Sequence, residues 1–304
     1  MKHVISNASL TEGALVSRRA LLTRLAPAAA MAAVLGTTFA SPAFAAVREK
    51  ALVTTLGVIY GVTYTGDLMW YRHDGQSDGT FRWSTDVGQK VGNGWSFKQI
   101  FSGGDGVIYT ITDTGDLMWY HHDGQGDGTF RWSADVGKKV GNGWNVKQIF
   151  SGGNGVIYTV MDNGDLMWYR HDGRLDGTFR WAADAGKKVG NGWNVKQIFS
   201  GGDGIIYAVL DNGDLMWYHH DGQSDGTFRW SSDVGKKVGN GWNFKQIFPG
   251  STGVIYTVTD TGDLMWYRHD GRFDGTFRWA ADTGKKVGNG WNTTAALFSP
   301  TINV

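Results

Sequence analysis

The chain has 304 residues and no cysteine, which excludes a disulfide scaffold, a thiolate zinc site and cysteine catalysis together. Glycine fills 46 positions and tryptophan 15, against 4 prolines and 19% charged residues, so the chain is neither a disordered low-complexity tract nor collagen-like. A formal net charge of +1 gives no electrostatic case for nucleic acid as a partner.

Residues 1–45 differ in composition from everything after them. Lys2, Arg18 and Arg19 precede an alanine-rich apolar stretch over 25–40, and Ser41-Pro42-Ala43-Phe44-Ala45 ends it with an A-x-A cleavage signal. A basic start, a short apolar middle and small residues at the cut site read as a secretory signal peptide. Ser17-Arg18-Arg19-Ala20-Leu21-Leu22 looks like its twin-arginine variant; an ordinary Sec signal that happens to hold two arginines is the alternative. The apolar run is shorter than the roughly 18–20 residues of a membrane span, and Arg24 and Pro27 interrupt its start. The expectation is a secreted or periplasmic protein, cut near Ala45, whose mature chain does not insert in a membrane. Loss of Lys2, Arg18, Arg19, Arg24 and Glu12 leaves 25 basic and 27 acidic residues.

From residue 46 to 304 one unit is written five times. Trp70, Trp119, Trp168, Trp217 and Trp266 stand 49 residues apart, as do the series beginning at Trp83 and at Trp95, which together account for all 15 tryptophans. A fixed period of that size indicates a propeller, a solenoid or an array. Within a copy, Val107-Ile108-Tyr109-Thr110-Ile111-Thr112 is β-branched and aromatic and ends at the turn signal Asp113-Thr114-Gly115. Asp116-Leu117-Met118-Trp119-Tyr120 reads as a second strand. After a glycine-bearing loop, a third is expected to start near Phe130-Arg131-Trp132. Gly141-Asn142-Gly143-Trp144 turns the chain, and Val146-Lys147-Gln148-Ile149-Phe150 reads as a fourth. No 3.6-residue apolar stripe is present, so the fold is all-β. Leu117 and Trp119 point one way and Met118 and Tyr120 the other, which makes both faces of that strand apolar. Such a strand fits a sheet packed between two neighbours, as in a propeller blade, better than a sheet with one wet face. The expected fold is a five-bladed β-propeller with four antiparallel strands per blade. A β-solenoid is the alternative, though its coils are usually shorter and its ends need caps. The tail Asn292-Thr293-Thr294-Ala295-Ala296-Leu297-Phe298 resembles a degenerate copy of Asn243-Phe244-Lys245-Gln246-Ile247-Phe248. It is therefore expected to supply the missing strand of blade one and close the ring as a monomer, with no open edge.

Trp132, eleven residues, then Trp144 with Gly141-Asn142-Gly143 between them, followed by Val146-Lys147-Gln148-Ile149-Phe150 and a Gly-x-x-Tyr strand, resembles the tachylectin family of five-bladed propeller lectins. The resemblance covers all five repeats. It implies binding of N-acetylglucosamine or related N-acetyl sugars on glycans, one site per blade, with no metal or other cofactor. The family's site lies between blades, from the long outer-strand loop and the connecting segment. Carried onto this chain, the loop residues are Arg82 and Trp83, Arg131 and Trp132, Arg180 and Trp181, Arg229 and Trp230, and Arg278 and Trp279. The connector residues are Asn93, Gly94 and Trp95; Asn142, Gly143 and Trp144; Asn191, Gly192 and Trp193; Asn240, Gly241 and Trp242; and Asn289, Gly290 and Trp291. Where the family has Asp-Asn before the loop tryptophan, this chain has Phe81-Arg82. In a strict up-and-down blade the loop and the connector sit at opposite ends, so one of them must run along the blade flank.

Catalysis fits the pattern poorly. Glu12 and Glu49 are the only glutamates, and Asp67, Asp74, Asp78 and Asp86 recur at 49-residue steps instead of forming one asymmetric acid–base pair. His73-Asp74-Gly75 recurs in every copy and suggests a turn in which Asp bonds its own backbone, with a metal ligand set or a direct sugar contact as the alternatives. Asp74 and Asp78 are four residues apart, which is not the alternate spacing of a calcium loop. Trp70 and its copies sit in mid-strand and are core. Trp83 and Trp95 sit at strand ends among polar residues, where an indole face can stack on a pyranose or fill the wedge between blades. The expected function is a multivalent carbohydrate-binding lectin, and the alternative is a structural or protein-interaction propeller at the cell surface.

Overall fold

In the computed structural model, which describes residues 56–300, each 49-residue repeat folds into strands joined mainly by short turns. These are β1 (Val58–Thr63), β2 (Leu68–Arg72) and β3 (Gln89–Gly92), then β4 (Gln99–Gly104), β5 (Val107–Ile111), β6 (Leu117–His121) and β7 (Lys138–Gly141). The same set recurs as β8 (Gln148–Gly153), β9 (Val156–Val160), β10 (Leu166–Arg170) and β11 (Lys187–Gly190), and as β12 (Gln197–Gly202), β13 (Ile205–Val209), β14 (Leu215–His219) and β15 (Lys236–Gly239). The last copies are β16 (Gln246–Pro249), β17 (Val254–Val258), β18 (Leu264–Arg268) and β19 (Lys285–Gly288), followed by β20 (Thr294–Phe298).

Five antiparallel four-stranded sheets result, four in chain order and one ordered β20-β1-β2-β3. The strands β4, β8, β12, β16 and β20 touch one another in succession and form the inner ring. The tail does close the first blade: Phe298 pairs with Tyr60, Leu297 with Gly61 and Ala296 with Val62. The result is a five-bladed β-propeller.

The second strand of each blade explains why a sheet stacks between two others. All five residues of β5 are buried, alternate side chains serving opposite faces. The hairpin before it turns through Asp105 and Gly106, both at positive φ, which suits the right-handed twist of the flanking strands. Two boundaries differ from the sequence expectation. The third strand begins at Lys138 and not near Phe130, because Phe130-Arg131-Trp132 belongs to a loop that meets the end of β6 through the isolated bridge His122↔Trp132 and the Ser133 amide on the His121 carbonyl. The fourth begins at Gln148, since Val146 and Lys147 still belong to the connector.

Those long loops tie the blades together. Gly128, at φ +72°, lies so close over Trp70 of the preceding blade that a Cβ would sit 2.4 Å from the ring. Beneath it the Trp70 indole donates to the Gln125 carbonyl at 2.8 Å. The Tyr60 hydroxyl donates to Nδ1 of His122 at 2.7 Å, while His122 Nε2–H donates to the Thr129 carbonyl at 2.9 Å. The same hydroxyl–imidazole bond recurs at every interface, including His73 with Tyr256 across the closure. Among the described residues, no helix is long and apolar enough to cross a membrane.

Candidate functional site

Outer strand β7 ends at Gly141, and the exposed Asn142 and Gly143 carry the chain away, Gly143 at φ +72°. The Trp144 amide then bonds the Gly115 carbonyl, and its indole folds back over the strand it has just left. A Cβ on Gly141 would lie 2.3 Å from Trp144 Nε1, so only glycine permits that return. The five connector tryptophans, Trp95, Trp144, Trp193, Trp242 and Trp291, are 5–8% exposed. They are buried, as rings that fill the wedge between blades are.

The loop arrives from the next blade. After Phe179 and Arg180 it runs back along β10, with Trp181 opposite His171 and the Ala182 amide bonding the Arg170 carbonyl. The Trp181 indole then reaches across to the preceding blade and donates to the Val140 carbonyl at 2.8 Å. Thus the loop follows the blade flank while the connector indole folds back, and the two rings meet with centroids 5.5 Å apart. The corresponding pairs are Trp132 with Trp95 at 5.5 Å, Trp230 with Trp193 at 5.6 Å, Trp279 with Trp242 at 5.4 Å and Trp83 with Trp291 at 5.7 Å. Tyr169 completes the aromatic wall, 4.7 Å from Trp144. Trp181 has spent its N–H on a backbone carbonyl, whereas the Trp144 N–H has no partner among the described residues.

Together these parts enclose a cleft of about 250 Å³ between blades, lined by Asn142, Gly143, Trp144, Tyr169, Phe179 and Trp181 among others. The expected loop and connector segments are therefore brought to one place, with one exception. Arg180 turns from the cleft toward its own loop, where it donates to the Asp172 carbonyl at 2.8 Å; Arg82, Arg131, Arg229 and Arg278 do the same with Asp74, Asp123, Asp221 and Asp270. The arginines brace the loop. Phe179 is the residue that sequence reasoning passed over, although a phenylalanine recurring at 49-residue steps in a polar, glycine-bearing loop was a visible signal.

The cleft floors differ. Val146 packs in one core cluster with Met161, and Val195 in another with Leu210. At the equivalent positions of two other clefts a phenylalanine, Phe97 or Phe244, stands with a threonine, Thr112 or Thr259. Where one side chain grows the other shrinks, which conserves volume in a packed wall. The remaining cleft has Thr293 and Thr63, both small and polar.

The repeated His-Asp-Gly does not form a metal set. His73 and its copies are buried between a tyrosine hydroxyl and a threonine carbonyl, and burial lowers their pKa. Among the described residues no group of three or more His, Asp or Glu side chains converges as metal ligands would. The backbone-bonding aspartate is Asp78, not Asp74: Asp78 accepts from the amide and hydroxyl of Thr80, which hold its carboxyl below the usual range.

Five blades with a tryptophan pair at each interface define a β-propeller with five equivalent aromatic seams. The Tachylectin family model matches residues 43–184 and 111–304, and the chain belongs to that family. Membership places it among the propeller lectins. A search of curated proteins finds no match. Among solved structures, the chain is similar to a protein described under "The de novo evolutionary emergence of a symmetrical protein is shaped by folding constraints", at 21% identity and TM-score 0.55, over 80% of this chain and 98% of that one. It is also similar to the SapL1 lectin solved with alpha methyl fucoside, at 16% identity and TM-score 0.39, over 76% of this chain and 78% of that one.

Proposed function

We propose that the protein is an exported, multivalent lectin that binds N-acetylglucosamine or related N-acetyl sugars in the clefts between its blades, without metal and without catalysis. The observation that carries this reading is the repeated juxtaposition of an exposed Asn-Gly connector with a close pair of tilted tryptophans from two blades, as at Asn142, Gly143, Trp144 and Trp181. An aromatic wall takes the apolar face of a pyranose, and a few fixed polar groups select its substituents. The unpartnered Trp144 N–H and the Asn142 amide are such groups. Family membership supports the ligand class. The signal-like segment over 1–45 supports export; it lies outside the described residues.

One such cleft binds weakly, in the millimolar to micromolar range, or about −4 to −8 kcal/mol. Several on one rigid ring raise the avidity for a dense glycan surface by about 10²–10⁴ without new contacts. Calorimetry with N-acetylglucosamine is the test: about five sites, unaffected by EDTA, are expected. A single site would point to one asymmetric centre, and no binding to any member of a glycan array would favour a protein-interaction propeller.

A further inference from the structure

We infer that Phe81, Phe130, Phe179, Phe228 and Phe277 form a second subsite at the rim of each cleft, a stacking platform for the pyranose that follows the one held inside. This rests on the carbohydrate-binding reading above and extends it from a single sugar to a chain. The five rings are 64–66% exposed, in a molecule that buries most of its large apolar side chains. One exposed phenylalanine needs no explanation. Five at one repeat position, one of them lining the interblade cleft at Trp144 and Trp181, call for one.

The cleft wall is graded by depth. Trp144 is buried, Trp181 half-buried, and Phe179 mostly in solvent, yet all three line the same space. That space of about 250 Å³ falls below the ~300–1,000 Å³ of pockets that enclose larger ligands. It suits one sugar ring, so a second ring of the same ligand must lie outside, against the rim. There the loop offers an apolar face, because the neighbouring Arg180 guanidinium is tied back to Asp172.

The platform is also preorganised. On one side of Phe179, Thr178 is held by Asp176 through both amide and hydroxyl; on the other, the Arg180 amide bonds the Thr178 carbonyl at 2.7 Å. A backbone fixed on both sides of an exposed ring reduces the ordering cost of stacking on it.

The expected consequence is a preference for chain length. A β-1,4-linked N-acetylglucosamine dimer binds about 3- to 10-fold more tightly per site than the monosaccharide, the range an added aromatic contact supplies. Calorimetry with both sugars on the full-length chain, on a variant with all five residues changed Phe→Ala, and on one with all five changed Phe→Tyr tests this. The alanine variant is expected to keep its melting temperature while its ratio of dimer to monosaccharide affinity falls to about one; the tyrosine variant retains the ratio of the natural chain. Equal affinity of the natural chain for both sugars, or a dimer advantage that survives in the alanine variant, overturns the rim subsite and leaves the lectin reading intact. Failure of the natural chain to bind either sugar overturns both.

Discussion

Two glycines separate backbone strain from steric conflict. Gly128 and Gly143 share φ +72°, but a Cβ on Gly128 meets the Trp70 ring at 2.4 Å while one on Gly143 meets nothing within 4 Å. Gly143→Ala therefore carries only the left-handed backbone penalty, about 1 kcal/mol. Gly128→Ala adds displacement of the loop or of a fully buried indole that bonds Gln125, for a total loss of about 2–4 kcal/mol. Urea midpoints of the two variants should fall in that order; equal midpoints would show that the loop yields freely over the ring. The same reasoning fits Trp144, whose burial and contacts with Tyr169 and Trp181 make it a structural wall as well as a proposed ligand contact. Trp144→Ala should cost roughly 3–5 kcal/mol, so it is a poor probe of binding. Exposed Asn142 is the better one: Asn142→Ala should leave the melting temperature unchanged and weaken about one site of five in calorimetry.

At the level of elements, the outer-strand loop does more than connect β6 to β7. It seals the preceding blade through Gly128 over Trp70, crosses the interface through the Trp132 indole to the Val91 carbonyl, and supplies the cleft rim. Strand β20 has the complementary task at the inner ring, where it pairs with β1 and touches β4 and β16. Deleting residues 292–304 leaves β1 with an unpaired edge facing the axis, and exposed edges template pairing between chains. The truncated chain should melt at lower temperature and self-associate in sedimentation velocity. A monomer with unchanged melting temperature would show that another segment takes the place of β20.

For the whole ring, stability should depend on pH through five equivalent imidazoles. His73, His122, His171, His220 and His269 all have pKa values lowered chiefly by burial. Around His73 stand Tyr256, the Thr80 carbonyl, Asp78, Asp74 and Arg82; the carboxylates oppose the shift without reversing it. Because Nε2 must donate to a carbonyl, the neutral ring accepts the tyrosine proton at Nδ1, and protonation removes that acceptor. The unfolded chain, with ordinary histidines near 6.5, then binds more protons than the folded one. The contribution is full above pH 6.5 and is lost as pH falls through the lowered folded values. Denaturant titrations from pH 8 to 5 should show stability falling on acidification, with a shallower slope in His171→Gln. A flat profile would mean the imidazoles titrate equally in both states.

The sequence by itself determined the fold class, the number of blades and the strand that closes the ring. These follow from a 49-residue period, from apolar residues on both faces of short strands and from a tail that copies an inner strand, all of which are local patterns repeated. The resemblance also picked out the loop and connector that the fold brings together between blades. The sequence did not show which ring in them is open to a ligand. Trp132 and Trp95 look alike in the chain, flanked by polar residues and glycine, yet one indole is spent on a carbonyl 41 residues away and the other is folded beneath a glycine of its own strand. Phe130, which reads as the start of a strand, is left in solvent because the returning loop first pairs with the blade at the bridge from Trp132 to His122, two residues after it. Burial of these rings is set by contact between one blade and the next. That relation has no period or alternation along the chain, so only the closed ring decides it.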